Sequence, residues 1–206
     1  MPAGLFVAFE GGEGAGKSSQ VVLLAQTLRE HGRTVLVTRE PGDSRIGPGV
    51  RQMVLDDPGN AGLSPKAEAL LYAADRAEHV AAMIRPALSR GEVVLTDRYI
   101  DSSLAYQGAG RALPEDEVEQ LNAWATDGLL PELTVLLDIE PELGLRRAGA
   151  SLDRLESEPL EFHRRVRDHF LALAARRRQA YLVIAADQPR EDLAEQIAKH
   201  VLEILG

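Results

Sequence analysis

Gly11-Gly12-Glu13-Gly14-Ala15-Gly16-Lys17-Ser18 fits the pattern G-x-x-x-x-G-K-[ST], and its flanks give that pattern physical meaning. Upstream, Leu5–Phe9 is an unbroken apolar run of strand length. Downstream, Val21, Leu24, Ala25 and Leu28 recur at helical spacing until Gly32 supplies a stop. A glycine-rich turn between a buried strand and a helix lets successive N–H groups face inward around phosphate oxygens, and the helix N-terminus adds a favourable partial charge. The residues Gly11 to Ser18, with Ser19 behind them, are therefore candidate ATP-binding residues. Lys17 would reach the β- and γ-phosphates and the Ser18 hydroxyl would help hold Mg²⁺. GTP is the alternative nucleotide.

The rest of the chain repeats the strand–helix alternation. Val35–Thr38, Val93–Thr96 and Val135–Ile139 read as further buried parallel strands, and Tyr181–Ala186 as a fifth. A long helical pattern runs from Lys66 to Ser89 with Ala69, Leu70, Ala73, Ala77 and Val80 on one side. The last helix, Arg190 to Leu205, stripes Leu193, Ile197, Val201 and Leu205. Pro65, Pro114, Pro141 and Pro189 stand where helices can begin. The expected fold is α/β, the P-loop NTPase fold: a five-stranded parallel sheet with helices on both faces, forming three α/β/α layers. Its ligand site should lie at the carboxyl ends of the strands. With neither repeats nor linkers, residues 1–206 read as one domain.

Bulk properties narrow the partners. A net charge of −9 argues against nucleic-acid polymers and anionic membranes. There are no cysteines, and neither a signal peptide nor a membrane-spanning run is evident, so a cytoplasmic enzyme is expected. A GTPase switch is disfavoured because the N-K-x-D type guanine-reading motif is missing. The third strand ends in Asp97-Arg98-Tyr99. There an acid can join the Mg²⁺ shell and Arg98 can clamp a second anion, although an Asp-Arg pair can equally be a plain ion pair.

These features join others: Thr38-Arg39-Glu40-Pro41-Gly42, Ala105-Tyr106-Gln107-Gly108, and Leu137-Asp138 leading into an arginine-containing segment. The series resembles the bacterial thymidylate kinases over nearly the whole chain. That resemblance implies transfer of the γ-phosphate of ATP to dTMP with Mg²⁺, in a homodimer. It further implies that Arg39 and Glu40 form a pair at the acceptor rim, the carboxylate meeting the sugar 3′-hydroxyl. Glu13 matches an acid inside the P-loop that points at the acceptor. Tyr72 falls where a Phe stacks on thymine, and Arg76, one turn on, where an arginine bonds the base. Tyr106 matches a tyrosine crowding the 2′ position, Ser103 and Gln107 match polar lining positions, and Arg51 a basic one. Read without the resemblance, Tyr72 is a core residue, Arg76 a partner of Asp75 or Glu78, Glu40 a local cap or local ion-pair partner, and Tyr106 a buried tyrosine with a satisfied hydroxyl.

The acceptor phosphate is already a nucleophile, so catalysis reduces to positioning and charge neutralisation, with water kept out by a lid. The lid candidate spans 147–156. Arg146, Arg147 and Arg154 supply its charge. Because the P-loop holds no arginine, the resemblance places catalytic arginines in the lid: Arg154 and Arg147, with Arg165 or Arg167 in reserve. Lys17, Arg98 and Glu13 complete the expected catalytic set. Two departures stand out: Asp43-Ser44 where the family often has Gly-Thr, and Tyr72 for Phe. The competing readings are a P-loop kinase for another nucleotide or nucleoside acceptor, and an ATP-binding regulatory module.

Overall fold

The computed structural model describes residues 4–56, 63–149 and 153–206. Five strands, β1 (Leu5–Glu10), β2 (Val35–Arg39), β3 (Val93–Asp97), β4 (Leu133–Asp138) and β5 (Tyr181–Ala185), form one parallel sheet in the order β2-β3-β1-β4-β5. The chain leaves β1 for the edge strand β2, returns through β3 beside β1, then crosses to β4 and β5. The order therefore reverses around β1, and the loop after β1 opens over the carboxyl ends of its neighbours.

The pleat sorts the core into two halves. Leu5, Val7 and Phe9 face α1 (Lys17–Glu30) and α9 (Arg190–Leu205), whose Val21, Leu24, Leu28, Leu193, Ile197 and Val201 are buried there. Phe6 and Ala8 face the opposite layer. That layer holds α3 (Pro65–His79), α4 (Arg85–Ser89), α5 (Ile100–Ser103), α6 (Glu115–Thr126) and α8 (Leu160–Arg176). Two shorter helices, α2 (Gly47–Arg51) and α7 (Pro141–Ala148), flank the strand ends. The expected three layers are present.

The long pattern from Lys66 to Ser89 is not one regular helix: α3 passes through a π-helical turn, Val80–Ile84, before α4. Its apolar side also differs from expectation. Ala69, Ala73 and Val80 are buried within the chain, whereas Leu70 is 58% exposed. Pro65 and Pro141 open α3 and α7 as first helical residues, and Pro114 and Pro189 sit one residue earlier, as caps of α6 and α9. Among the described residues no helix is long and apolar enough to cross a membrane.

Candidate active site

The loop between β1 and α1 is held backbone to backbone. Gly14 has φ +65°, and a Cβ there would lie 2.0 Å from the carbonyl oxygen of Gly144 in α7. A Cβ on Gly144 would lie 2.2 Å from the carbonyl oxygen of Glu13. Only glycine at both positions permits this approach. Lys17 Nζ donates to the carbonyl oxygens of Gly11 and Gly12, each at 2.9 Å. Burial and the charge of Arg98 push its ammonium pKa down, while Glu13 and Asp97 oppose that shift. The Ser18 hydroxyl donates to the Asp97 carboxylate, so two hard oxygens meet at the mouth of the loop. Among the described residues no cluster of three or more His, Asp or Glu could hold a metal alone. A hydroxyl and one carboxylate are a donor set that suits Mg²⁺ when phosphate and water oxygens supply the remainder.

One cavity of about 350 Å³ runs from Gly16, Lys17, Ser18 and Ser19 to Tyr72 and Gln107. Between its ends stands Arg98, in the left-handed region at φ 72°, a conformation that costs a non-glycine residue about 1–3 kcal/mol. Arg98 bonds Glu13 Oε1 at 2.7 Å and Ser102 Oγ at 3.1 Å, and its guanidinium lies 5.0 Å from the Tyr106 ring centroid. The Tyr106 hydroxyl donates to the same Glu13 oxygen at 2.6 Å. Burial alone would raise the Glu13 pKa, but Arg98, Lys17 and the Tyr106 hydroxyl outweigh it and bring the carboxyl down to about 2. Asp97 and Arg98 thus face different partners and do not form the plain ion pair.

At the far end, Arg76 is 1% exposed, and its guanidinium is divided among four acceptors. It donates to Glu40 Oε2 at 2.7 Å, Ser103 Oγ at 2.8 Å, the Tyr99 carbonyl at 2.9 Å, and Asn122 Oδ1. Glu40 is buried rather than at a rim, and its other oxygen meets His79 Nδ1 at 2.7 Å; His79 Nε2 meets Thr38 Oγ1 at 2.7 Å. Arg76 therefore pairs neither with Asp75 nor with Glu78, and Glu40 does not cap locally. Tyr72 is both a core residue and a cavity wall. Arg51 lines the cavity and donates to the Pro41 carbonyl at 3.2 Å. The Asp43-Ser44 departure is accommodated locally: Asp43 accepts from the Arg39 N–H at 3.1 Å, and Ser44 donates to buried Asp75.

All nine expected acceptor residues, Arg39, Glu40, Arg51, Tyr72, Arg76, Arg98, Ser103, Tyr106 and Gln107, line this cavity. The lid-side arginines do not. Arg147, in α7 beside Gly14, donates to the Ala186 carbonyl at 2.7 Å. Arg154 donates to the Val54 carbonyl at 2.8 Å and to Glu68. Arg165 bonds the Gly110 carbonyl, and Arg167 is engaged with Asp138 and Glu140. From the lid candidate, Ala148, Asp153, Leu155 and Glu156 face the cavity; its residues 150–152 lie outside the described ones.

Sequence reading missed several buried polar residues. Glu10, at the end of β1, accepts from the Tyr99 N–H and from the Ser102 N–H and hydroxyl. Burial and the charge of Asp101 push its pKa up to about 8. Glu68, His79 and Asn122 were also missed. Glu68, Tyr72, Asp75, Arg76 and His79 recur at helical spacing on the buried side of α3, so a polar stripe on an inward face was the available signal.

The chain matches the family model described as Thymidylate kinase over residues 9–197. Among its relatives, a thymidylate kinase of Cutibacterium acnes is 53% identical over 203 residues, covering 98% of each chain. One of Deinococcus radiodurans is 51% identical over 205 residues, again covering 98% of each. Among solved structures, the thymidylate kinase from Ehrlichia chaffeensis superposes with a TM-score of 0.78 at 30% identity, covering 100% of both chains.

Proposed function

This chain belongs to the thymidylate kinase family, and from that premise we propose that it transfers the γ-phosphoryl group of ATP to the phosphate of dTMP, giving dTDP and ADP. The observation that carries this reading is the single cavity joining a P-loop at one end to an aromatic, arginine-lined pocket at the other. Residues 1–206 act as one catalytic domain with a lid at 147–156.

Gly11 to Ser19 cradle the ATP phosphates, with Lys17 leaving the Gly11 and Gly12 carbonyls for the β- and γ-oxygens. Ser18 and Asp97 would hold Mg²⁺, which when bound neutralises charge on the phosphate chain. An oxygen of the acceptor phosphate forms the new bond to the γ-phosphorus as the bond to the β–γ bridging oxygen breaks. No proton need be removed from the nucleophile, so the burden falls on alignment. Arg98 is placed to hold the acceptor phosphate, and its position is fixed by Glu13 and Ser102. Tyr106, locked by its hydroxyl on Glu13, narrows the sugar end, while Tyr72 offers a ring face to the base. Arg76, Ser103 and Gln107 supply hydrogen bonds there, and Arg39, Glu40 and Arg51 close the adjoining wall. Arg147, next to the P-loop, and Arg154, on the acceptor side, are the lid-side residues that complete charge neutralisation on closure.

The enzyme works in the cytoplasm as a homodimer, and the exposed Leu70 on α3 and Trp124 on α6 support a partner on that side. Sedimentation of the wild type checks the dimer. The kinase reading is tested by ADP release from MgATP with dTMP, dUMP, dCMP, dGMP, UMP, thymidine or no acceptor. Strong dependence on dTMP is expected. Preference for another monophosphate would overturn the roles of Tyr72, Arg76 and Tyr106, and release that ignores every acceptor would overturn the kinase reading itself.

A further inference from the structure

Glu68 is 1% exposed on the inner side of α3, yet it belongs to neither the P-loop nor the wall of the cavity. A buried carboxylate is retained only where cations and donors compensate its lost hydration. Its two oxygens divide that task between parts of the site that are far apart in sequence. Oε1 accepts from Gln107 Nε2 at 2.8 Å. Oε2 accepts from Arg154, with Arg111 Nη2 3.5 Å away. Arg111 is held in turn by Glu158 and by the Phe162 ring, whose centroid is 5.2 Å from its guanidinium. Arg154 is further tied to the Val54 carbonyl at 2.8 Å.

A carboxylate only accepts hydrogen bonds, so it fixes which end of the Gln107 amide turns towards α3. The same carboxylate sets where the lid-side Arg154 rests. Gln107 and Arg154 have no bond to one another among the described contacts; Glu68 is their shared partner. We propose that Glu68 is a positioning residue that joins the acceptor-base wall to the lid-side segment, so that seating the base and placing Arg154 draw on one buried charge. The inference rests on the kinase reading above and on Gln107 meeting the base. It assigns no bond from Glu68 to either substrate.

Wild-type turnover of dTMP is measured first, so a protein idle on dTMP overturns the choice of dTMP as acceptor before any variant is compared. In Glu68→Gln the amide can pair with Gln107 in either orientation and the carboxylate charge that holds Arg154 is lost. The KM for dTMP is expected to rise roughly 3- to 10-fold, the worth of one misdirected hydrogen bond, with a fall in kcat and an unchanged KM for ATP. The preference for dTMP over dCMP should shrink by a similar factor, and Glu68→Asp should recover part of both losses. A lowered melting temperature with unchanged KM, kcat and preference would reduce Glu68 to a structural ion-pair partner and overturn the proposal. A second test leaves Glu68 in place. Gln107→Leu and Arg154→Ala, singly and together, should be non-additive on dTMP kinetics with Glu68 present. Simple additivity there would overturn the coupling even if Glu68→Gln fails to fold.

Discussion

Arg76→Met is the substitution whose consequence can be worked furthest. The arginine is buried, and its removal strands Glu40, Ser103 Oγ, Asn122 Oδ1 and the Tyr99 carbonyl together. Methionine fills much of the volume, so the dominant cost is a buried carboxylate left with His79 Nδ1 as its remaining side-chain partner. Breaking one side of a buried ion pair costs about 3–5 kcal/mol. In a chain of this length that corresponds to a fall in Tm of roughly 6–20 °C. Thermal unfolding followed by circular dichroism measures it. Adding Glu40→Gln to Arg76→Met should restore part of the loss, because the stranded charge disappears. The two substitutions should thus be strongly non-additive, whereas the KM for dTMP stays raised in both single and double variants. A loss below about 1 kcal/mol, or a double variant less stable than either single one, would refute the buried-charge argument.

Further consequences follow from the same geometry. The Glu10 carboxyl titrates at about 8 in the fold against an ordinary 4.5, so the folded state holds the extra proton between those values. Its stabilising share, on the order of a few kcal/mol, is full below the lower value and is lost as pH rises through the upper one. Glu10→Gln should therefore flatten urea-measured stability across that window, and an unchanged slope would count against it. Gly14→Ala forces a side chain into the left-handed region against the Gly144 carbonyl, and calorimetry should find ATP binding weakened roughly 5- to 100-fold. Arg98→Ala should lower kcat by roughly 10²–10³ and let burial raise the Glu13 pKa from its present low value, seen by NMR titration of the carboxyl. Arg154→Ala should lower kcat far more than ATP affinity; an unchanged kcat removes Arg154 from the catalytic set.

How much of this was legible in the sequence depends on the range of the interaction. Strand runs, the P-loop and the final helix are written in neighbouring residues, and α9 has the expected bounds, Arg190–Leu205. The third strand's Asp97-Arg98 lies at the carboxyl end of β3, as its position after a buried run implied. What periodicity could not convey is which distant charge each buried side chain finds. Arg76 meets Glu40 from the end of β2, and Arg154 meets Glu68 across 86 positions of chain. Those pairings arise only when the folded chain brings α3 against the segment after β2 and the segment after α7. The π-helical turn after His79 was equally invisible, since its residues Val80–Ile84 carry an ordinary helical pattern. Leu70 shows the converse limit: it shares an apolar sequence pattern with Ala69 and Ala73 but is exposed where they are buried.

Phosphoryl transfer to dTMP is tested most directly by following the phosphoryl group itself. ATP labelled in its γ-phosphate is incubated with Mg²⁺, dTMP and the wild-type protein, and the products are separated. The label is expected to move into dTDP, with little inorganic phosphate formed and with transfer abolished in Lys17→Ala. Label released chiefly as inorganic phosphate whether or not dTMP is present would contradict it.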